Sequence, residues 1–296
     1  MNFVHKIFPT WLVLFVRFIL EPKGYKLRRK AVLKLYEKSD LLKDPVIREG
    51  IRFLKSHKFT TFPFKWALKY DNLLPEVYFD ETHGMFYVEY CGHKLYYPKG
   101  YSRMRAIWAT RSILKEQDPQ SSHLYLTSDF YVEPDSIVVD AGVAEGNFAL
   151  SIIDKVKRLY LIECDPTWVE TLKVTFAPWK EKVVFVEKYL SDMDDDQFVT
   201  IDHLVRALEG EKYFVKMDVE GFEKQSLAGM KQLLTAATNI KLDICTYHFE
   251  DDLVQIGSIM DNYGCKYHVS DGYVLFSQQN ETPTFRKTLI RAEKLH

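Results

Sequence analysis

Residues 136–150 read SIVVDAGVAEGNFAL, which joins a short apolar run to a glycine-containing turn and then to a helical sequence. The same rhythm continues downstream, where apolar runs alternate with stretches of helical character. We expect further strands at 158–163, 183–186, 213–218 and 240–247. Strands that alternate with helices predict an α/β fold with a doubly wound, mostly parallel sheet.

The glycine turn indicates which kind of cofactor the sheet binds. Ligands of such sheets lie outside the carboxyl ends of the strands. The first strand ends in Asp140, and Gly142 and Gly146 follow it. A dinucleotide fingerprint would instead need glycines at the positions of Ala144 and Asn147. Because a tight turn and a close backbone approach are what remains, the pattern suits an adenosyl group that carries no phosphate.

The second expected strand ends in LIECDP and places Glu163 at its tip, 23 residues after Asp140. A carboxylate at this place in a nucleotide-binding sheet accepts hydrogen bonds from the ribose hydroxyls. Its charge also repels a 2′-phosphate. The alternative is an ordinary solvent-exposed glutamate at the end of a strand.

Two later strand ends carry candidate catalytic groups. The segment FVKMDVEGFE supplies Asp218 and Glu220, and ICTYHFEDD brings His248 to the same edge of the sheet. A histidine near carboxylates is a candidate general base, although a single histidine is often structural. We therefore expect His248 to accept a proton, with Asp218 and Glu220 orienting the acceptor. We expect no metal, the alternative being a divalent cation on these two carboxylates.

Several segments together resemble one enzyme family, the FkbM-type S-adenosylmethionine-dependent methyltransferases. The similarity spans residues 121–294 and is carried by VVDAGVAEGNFAL, LIECDP, KYLSD, TIDHLV, VKMDVEGFE, CTYH and FRKTLIRAEK. It implies the class I methyltransferase (Rossmann-like) fold, a seven-stranded sheet whose last strand is antiparallel. It also implies S-adenosylmethionine (SAM) as cofactor and O-methylation of a sugar, glycan or similar small hydroxylated acceptor.

The resemblance also assigns roles to individual residues. The methionine end of the cofactor would be lined by Asp140, Gly142 and Gly146, and its ribose would be bound by Glu163. The adenine would contact Leu190, Ser191 and Asp192. The transferred methyl group would lie close to Asp218. One departure is that Val143 and Ala144 follow Gly142, where many members of the family have Ala and Asn. We expect the backbone turn to survive this change and the cofactor hydrogen bond of the missing Asn side chain to be absent.

Charge is divided unevenly along the 296 residues. Residues 1–70 hold 16 of the 40 basic and 5 of the 41 acidic side chains, which leaves 24 basic and 36 acidic in residues 71–296. We expect a basic, mainly helical region at 1–75, a β-meander with a helix at 76–125 that forms a lid or packs into the core, and a SAM-binding domain at 126–296. The acidic body argues against a nucleic-acid partner.

The basic region begins with an apolar stretch. Residues 11–20, WLVLFVRFIL, are followed by KGYKLRRK at 23–30. An apolar helix beside a polybasic cluster is typical of a helix that lies on an anionic membrane surface. The alternative is a helix that packs on the body. We expect a cytoplasmic protein, with contact to the inner membrane face through residues 1–34 under the first interpretation.

Composition and cysteine spacing limit the other classes. A hydrophobic fraction of 47% excludes a disordered chain. The four cysteines are widely spaced, which argues against a zinc framework or a disulfide scaffold. The competing hypothesis is a non-catalytic membrane-surface or scaffolding protein with a degenerate nucleotide-binding fold.

Overall fold

The computed structural model describes residues 22–278 and 281–295. Its α-helices are α1 (Pro22–Leu35), α2 (Pro45–Ser56), α3 (Arg103–Glu116), α4 (Asn147–Ile152), α5 (Pro166–Thr175), α6 (Ile201–Leu204), α7 (Glu223–Ala228), α8 (Lys231–Ala236) and α9 (Asp252–Asn262). Short 3₁₀ helices cover Asp40–Lys43, Lys65–Tyr70 and Ala177–Trp179. The strands are β1 (Tyr78–Asp80), β2 (Met85–Tyr90), β3 (His93–Tyr96), β4 (Ile137–Ala141), β5 (Arg158–Ile162), β6 (Val183–Val186), β7 (Tyr189–Leu190), β8 (Phe198–Val199), β9 (Tyr213–Met217), β10 (Asn239–Cys245), β11 (Lys266–Val269), β12 (Val274–Phe276), β13 (Thr284–Arg286) and β14 (Leu289–Leu295).

A seven-stranded sheet in the order β11-β14-β10-β9-β4-β5-β6 forms the centre of the molecule. Its neighbours pair in parallel from β10 to β6, whereas β14 is antiparallel to both β10 and β11. Helices cover both faces, so the parallel strands are mostly apolar, and every residue of β9 is buried, the charged Lys216 included. This strand order with a reversed β14 is the class I methyltransferase fold, which confirms the predicted fold class.

The strand order reverses direction between β4 and β9, and this reversal places the site. The chain moves outward from β4 through β5 to β6, then returns to β9 on the other side of β4. Connections on the two sides therefore leave a crevice at the carboxyl ends of β4 and β9. Asp140 lies within β4, and Asp218 directly follows β9.

The β-meander of β1, β2 and β3 packs against one face of the sheet region. Val88 and Leu95 are buried in the same apolar cluster as Phe148 and Leu159. The described residues before the meander form α1, α2 and two of the 3₁₀ helices.

The helical region packs on a hairpin near the other end of the chain. Strands β12 and β13 form this hairpin, and their side chains share an apolar cluster with Tyr36 and Phe62. The Phe285 amide donates to the Tyr36 hydroxyl at 3.0 Å, and the Tyr273 hydroxyl donates to Asp44 at 2.7 Å. For the described part of the basic region, packing on the body is therefore the observed arrangement.

The apolar stretch at 11–20 lies outside the described residues. Within 22–278 and 281–295, no helix combines the length and apolar character needed to cross a membrane.

Candidate functional site

A cavity of about 510 Å³ opens at the carboxyl edge of the sheet. One wall comes from the glycine turn after β4, the tip of β5 and the loop after β9, including Gly142, Glu163 and Asp218. Another wall comes from the basic region and the β12–β13 hairpin, including Phe62 and Phe276. The cavity therefore joins the predicted cofactor site to a region for which the sequence suggested no chemistry.

Gly142 is required by the close approach of two loops. It has a φ of +73°, and a Cβ built there would lie 1.8 Å from the carbonyl oxygen of Asp218. Any side chain would force the glycine turn and the β9 loop apart. Gly146 has a φ of +81° and faces away from the cavity, where a Cβ would meet Leu172 of α5 at 2.7 Å. Gly142 thus lines the cavity, whereas Gly146 lets helix α5 pack against the turn.

Asp140 acts from behind the turn. Its side chain is fully buried and lies 3.1 Å from the Nζ of Lys216, which also donates to the Gly142 carbonyl at 2.6 Å. Burial opposes the charge on Lys216, but the Asp140 carboxylate together with Asp218 and Cys245 outweighs burial and raises the pKa of that ammonium. Asp140 is not among the residues that line the described cavity, so it supports the turn through Lys216.

Glu163 is held by backbone donors at the tip of β5. Its carboxylate accepts from the amides of Ala144 at 3.0 Å and of Cys164 and Asp165 at 2.9 Å each. Burial nonetheless raises the pKa of Glu163, because it penalises the charged form. Each carboxylate oxygen can accept more than one hydrogen bond, so a fixed carboxylate facing the cavity retains capacity for a ligand.

The residues expected at the adenine divide between two places. Leu190, at the end of β7, is buried and lines the cavity. Ser191 and Asp192 follow it, but neither is among the lining residues of the described chain. Cys164 and Tyr189, which no motif singled out, line the cavity beside Leu190.

Asp218 lies on the cavity wall, where tyrosine hydroxyls and a histidine surround its carboxylate. The hydroxyls of Tyr125 and Tyr247 donate to it at 3.0 Å and 3.1 Å, and the Nε2 of His248 lies 3.5 Å away. Burial alone would raise the pKa of Asp218, but the charges of His248 and Lys216 outweigh it and lower that pKa to about 2. Asp218 is therefore a fixed anion at neutral pH. Tyr247 adjoins the predicted His248 in sequence, whereas no sequence signal pointed to Tyr125.

His248 does not line the cavity, unlike Tyr247 before it. Its Nδ1 lies 2.9 Å from Glu223, and its Nε2 lies 3.7 Å from Glu220. Burial disfavours the imidazolium, but the Glu223 carboxylate and the other acids outweigh burial and raise the pKa of His248 to about 9. A histidine that is already protonated at neutral pH is poorly suited to accept a proton, so this geometry argues against the predicted base.

Glu220 has the properties that His248 lacks. It lines the cavity, and it adopts the left-handed conformation with a φ of +55°. The turn that carries it is held by Glu223, which accepts from the amides of Val219 at 3.0 Å and Gly221 at 3.4 Å. Burial, joined by the charge of Asp218 and opposed by His248, raises the pKa of Glu220 to about 7. This carboxylate can gain and lose a proton near neutral pH.

Further titratable groups on the cavity wall escaped the sequence reasoning. Burial and the nearby Glu145 raise the pKa of Glu116 to about 8. Burial likewise raises the pKa of Glu145 and lowers that of His123 to about 4. Glu145 belongs to the glycine turn that the sequence highlights, but Glu116 and His123 lie in segments without a motif.

Two groups of side chains bring possible metal ligands together around Asp218. One contains His123 and Cys245, and the other contains Glu223 and His248. In the second group the His248 imidazolium already pairs with the Asp218 and Glu223 carboxylates. Glu220, which the sequence paired with Asp218, belongs to neither group.

The comparisons with known proteins concern the fold. No protein-family model matches the chain, and no curated protein matches it. A crystal structure of methyltransferase FkbM from Methylobacillus flagellatus KT is 19% identical with a TM-score of 0.46, over 66% of this chain and 56% of that one. An rRNA methylase from Streptococcus thermophilus is 18% identical with a TM-score of 0.38, over 56% and 90% of the two chains.

A magnesium protoporphyrin IX methyltransferase from Synechocystis PCC 6803, solved with bound SAM, is 14% identical with a TM-score of 0.35, over 54% and 71%. The chain spans little more than half the length of the FkbM structure. Its class I methyltransferase fold is established by the strand order of its own sheet.

Proposed function

We propose that this protein is a SAM-dependent O-methyltransferase of the FkbM type that acts on a hydroxyl of a sugar, glycan or similar small acceptor. The observation that carries the proposal is the meeting of Gly142, Glu163 and Asp218 on one cavity at the switch point of a class I methyltransferase sheet. The resemblance to the FkbM type over residues 121–294 supports the same reaction.

The donor set of the cavity suits the cofactor. Glu163 would accept the ribose hydroxyls, Leu190 would contact the adenine, and the backbone at Gly142 would lie against the methionine part. SAM when bound supplies an electrophilic methyl group on a sulfonium, and an acidic wall stabilises that positive charge. Asp140, Gly146 and Lys216 would contribute by holding the turn in place.

We assign the proton transfer to Glu220. The Glu220 carboxylate would accept the proton that the acceptor hydroxyl loses when it takes the methyl group, and SAM when bound would supply that methyl group and leave as S-adenosylhomocysteine. Asp218 orients the acceptor, and His248 is a positioning residue whose charge holds Asp218 and Glu220. A base in this position contributes about 10²–10⁴-fold to the rate, and alignment of the reacting atoms contributes further.

Calorimetry with S-adenosylhomocysteine tests the cofactor assignment. We expect binding to wild-type protein, a loss with Glu163→Ala, and a smaller loss with Glu163→Gln, which keeps an acceptor oxygen. Glu187→Gln is the matched control, because Glu187 is an exposed acid that pairs only with Lys173 among the described residues. Absence of binding to the wild type would favour the scaffolding hypothesis, in which the nucleotide fold is degenerate.

The acceptor and the location are tested separately. Labelled SAM with free glycans, nucleotide sugars and lipid-linked glycans identifies the acceptor class. The proposed contact of residues 1–34 with the inner membrane face predicts binding to anionic vesicles, and removal of residues 1–21, which carry the apolar stretch, should weaken that binding while leaving the body folded. Unchanged vesicle binding would contradict the membrane proposal.

A further inference from the structure

The cavity wall formed by the basic region combines one arginine with aromatic rings. Arg28 lies on α1 and lines the cavity together with Phe59 and Phe62. Tyr25, one turn before Arg28 on the same helix face, packs against Phe59 with ring centroids 6.0 Å apart. Helix α1 and the segment after α2 thus hold the guanidinium and the two phenylalanines on one wall.

Arg28 is a basic side chain of the cavity wall that forms no ion pair with a described residue. The other basic side chain on the wall of the site is Lys188, whose ammonium donates to the Asp195 carbonyl at 2.6 Å. Arg28 interacts electrostatically with Tyr25, but within residues 22–278 and 281–295 it makes no ion pair or hydrogen bond. Its donors are therefore available to a ligand.

The remainder of the cavity selects what Arg28 can bind. Acidic side chains line the sheet edge, among them Glu163 and Asp218. An anionic ligand is repelled there and is attracted at Arg28. A guanidinium offers a planar set of donors that matches the oxygens of a phosphate, and the neighbouring rings provide apolar contact for a sugar or base.

We propose that Arg28 binds a phosphate group of the acceptor, so that the substrate is a phosphorylated sugar or a nucleotide-linked sugar. This inference rests on the proposed function, because it places the cofactor against the acidic wall of the cavity and the acceptor against the basic region. The basic region is then part of the acceptor site and determines its specificity.

Titration of protein saturated with S-adenosylhomocysteine tests the inference, with uridine diphosphate and glucose 1-phosphate as the two probes. We expect at least one probe to bind and Arg28→Gln to weaken it about tenfold or more, as loss of a charge-assisted hydrogen bond implies. Tighter binding of uridine diphosphate would indicate a nucleotide-linked acceptor, and tighter binding of glucose 1-phosphate would indicate a sugar phosphate. Lys26→Gln, on an exposed position of the same helix, should change neither affinity.

Three results would overturn the inference. The first is that neither probe binds to the wild type, and the second is that Arg28→Gln binds the probes as tightly as the wild type at an unchanged melting temperature. The third is that Arg28→Gln loses affinity for S-adenosylhomocysteine but not for the probes. The last result would assign Arg28 to the cofactor instead. If S-adenosylhomocysteine does not bind at all, the proposed function fails. In that case, binding of either probe to the protein without S-adenosylhomocysteine, if it is weakened by Arg28→Gln, would support the anion site independently of the proposed function.

Discussion

The Nζ of Lys216 lies 3.1 Å from the Oδ1 of Asp140, and both side chains are buried between neighbouring strands β4 and β9. The same ammonium donates to the carbonyl of Gly142. One buried cation thereby fixes the glycine turn to the two strands that define the switch point.

Replacing Asp140 by Asn should destabilise the protein strongly, because it leaves the Lys216 ammonium buried without its anion. We expect the free energy of unfolding in urea to fall by about 3–5 kcal/mol. Lys173→Gln removes the exposed ion pair with Glu187 and should change it by less than about 1 kcal/mol. Similar losses in the two variants would contradict the role given to the buried pair.

Gly142→Ala should separate steric contact from backbone strain. Its Cβ would overlap the Asp218 carbonyl, so we expect both lower stability and loss of S-adenosylhomocysteine binding. Gly100→Ala is the matched control, since Gly100 has a similar φ of +85° but open space around the added Cβ. The control should lose only about 1–2 kcal/mol of stability from the strained conformation. Normal cofactor binding by Gly142→Ala would show that the turn does not depend on this contact.

The assignment of Glu220 as the base predicts a rate that depends on pH. Because the pKa of Glu220 is about 7, turnover should fall as pH drops below 7, where the carboxylate becomes protonated, and should level off above it. Glu220→Gln should lose about 10²–10⁴-fold in turnover and should flatten this profile while binding S-adenosylhomocysteine normally. The measurement is kcat against pH with the acceptor found by screening, and an unchanged profile in the variant would contradict the assignment.

His248 should stabilise the fold in a defined pH range. Its pKa is about 9 in the folded protein and about 6.5 in an unfolded chain, so its contribution is complete below pH 6.5 and is lost as pH rises through 9. The difference in unfolding free energy between wild type and His248→Gln should therefore shrink by on the order of 3 kcal/mol across that range. Glu220 also has a raised pKa, and its contribution is lost in the same direction between pH 4.5 and 7. Urea titrations at pH 7.5 and above separate the two groups, and a constant difference up to pH 9.5 would mean that His248 is not a buried imidazolium.

The sequence was sufficient for the sheet and for the ends of its strands. Alternating apolar runs and helices define the parallel sheet, and Gly142, Glu163 and Asp218 lie at its carboxyl edge because parallel strands all end there. The position of a residue along the chain predicts the sheet edge at which it lies. It does not predict the direction of a side chain that follows the end of the strand. His248 reaches the correct edge, yet it points behind Asp218, and its neighbour Tyr247 faces the cavity.

The cavity wall formed by the basic region could not be predicted from the sequence, for a different reason. Arg28 and Phe62 enter the cavity only because the basic region docks on the β12–β13 hairpin, and such docking depends on tertiary packing between distant segments. Glu116 and His123 could not be predicted either, because burial shifts their pKa values and no local sequence motif marks them.

The hydrogen bond between Tyr36 and Phe285 joins residues 249 positions apart. During synthesis the aromatic side chains of the basic region emerge long before the hairpin that covers them. The sheet can begin to form from the middle of the chain, but the cavity wall that contains Arg28 and Phe62 must await residues 274–286. Contacts of such long sequence separation form slowly, so we expect the nascent protein to pass through a stage in which strands β4, β5 and β9 are paired while this aromatic surface is still exposed to chaperones.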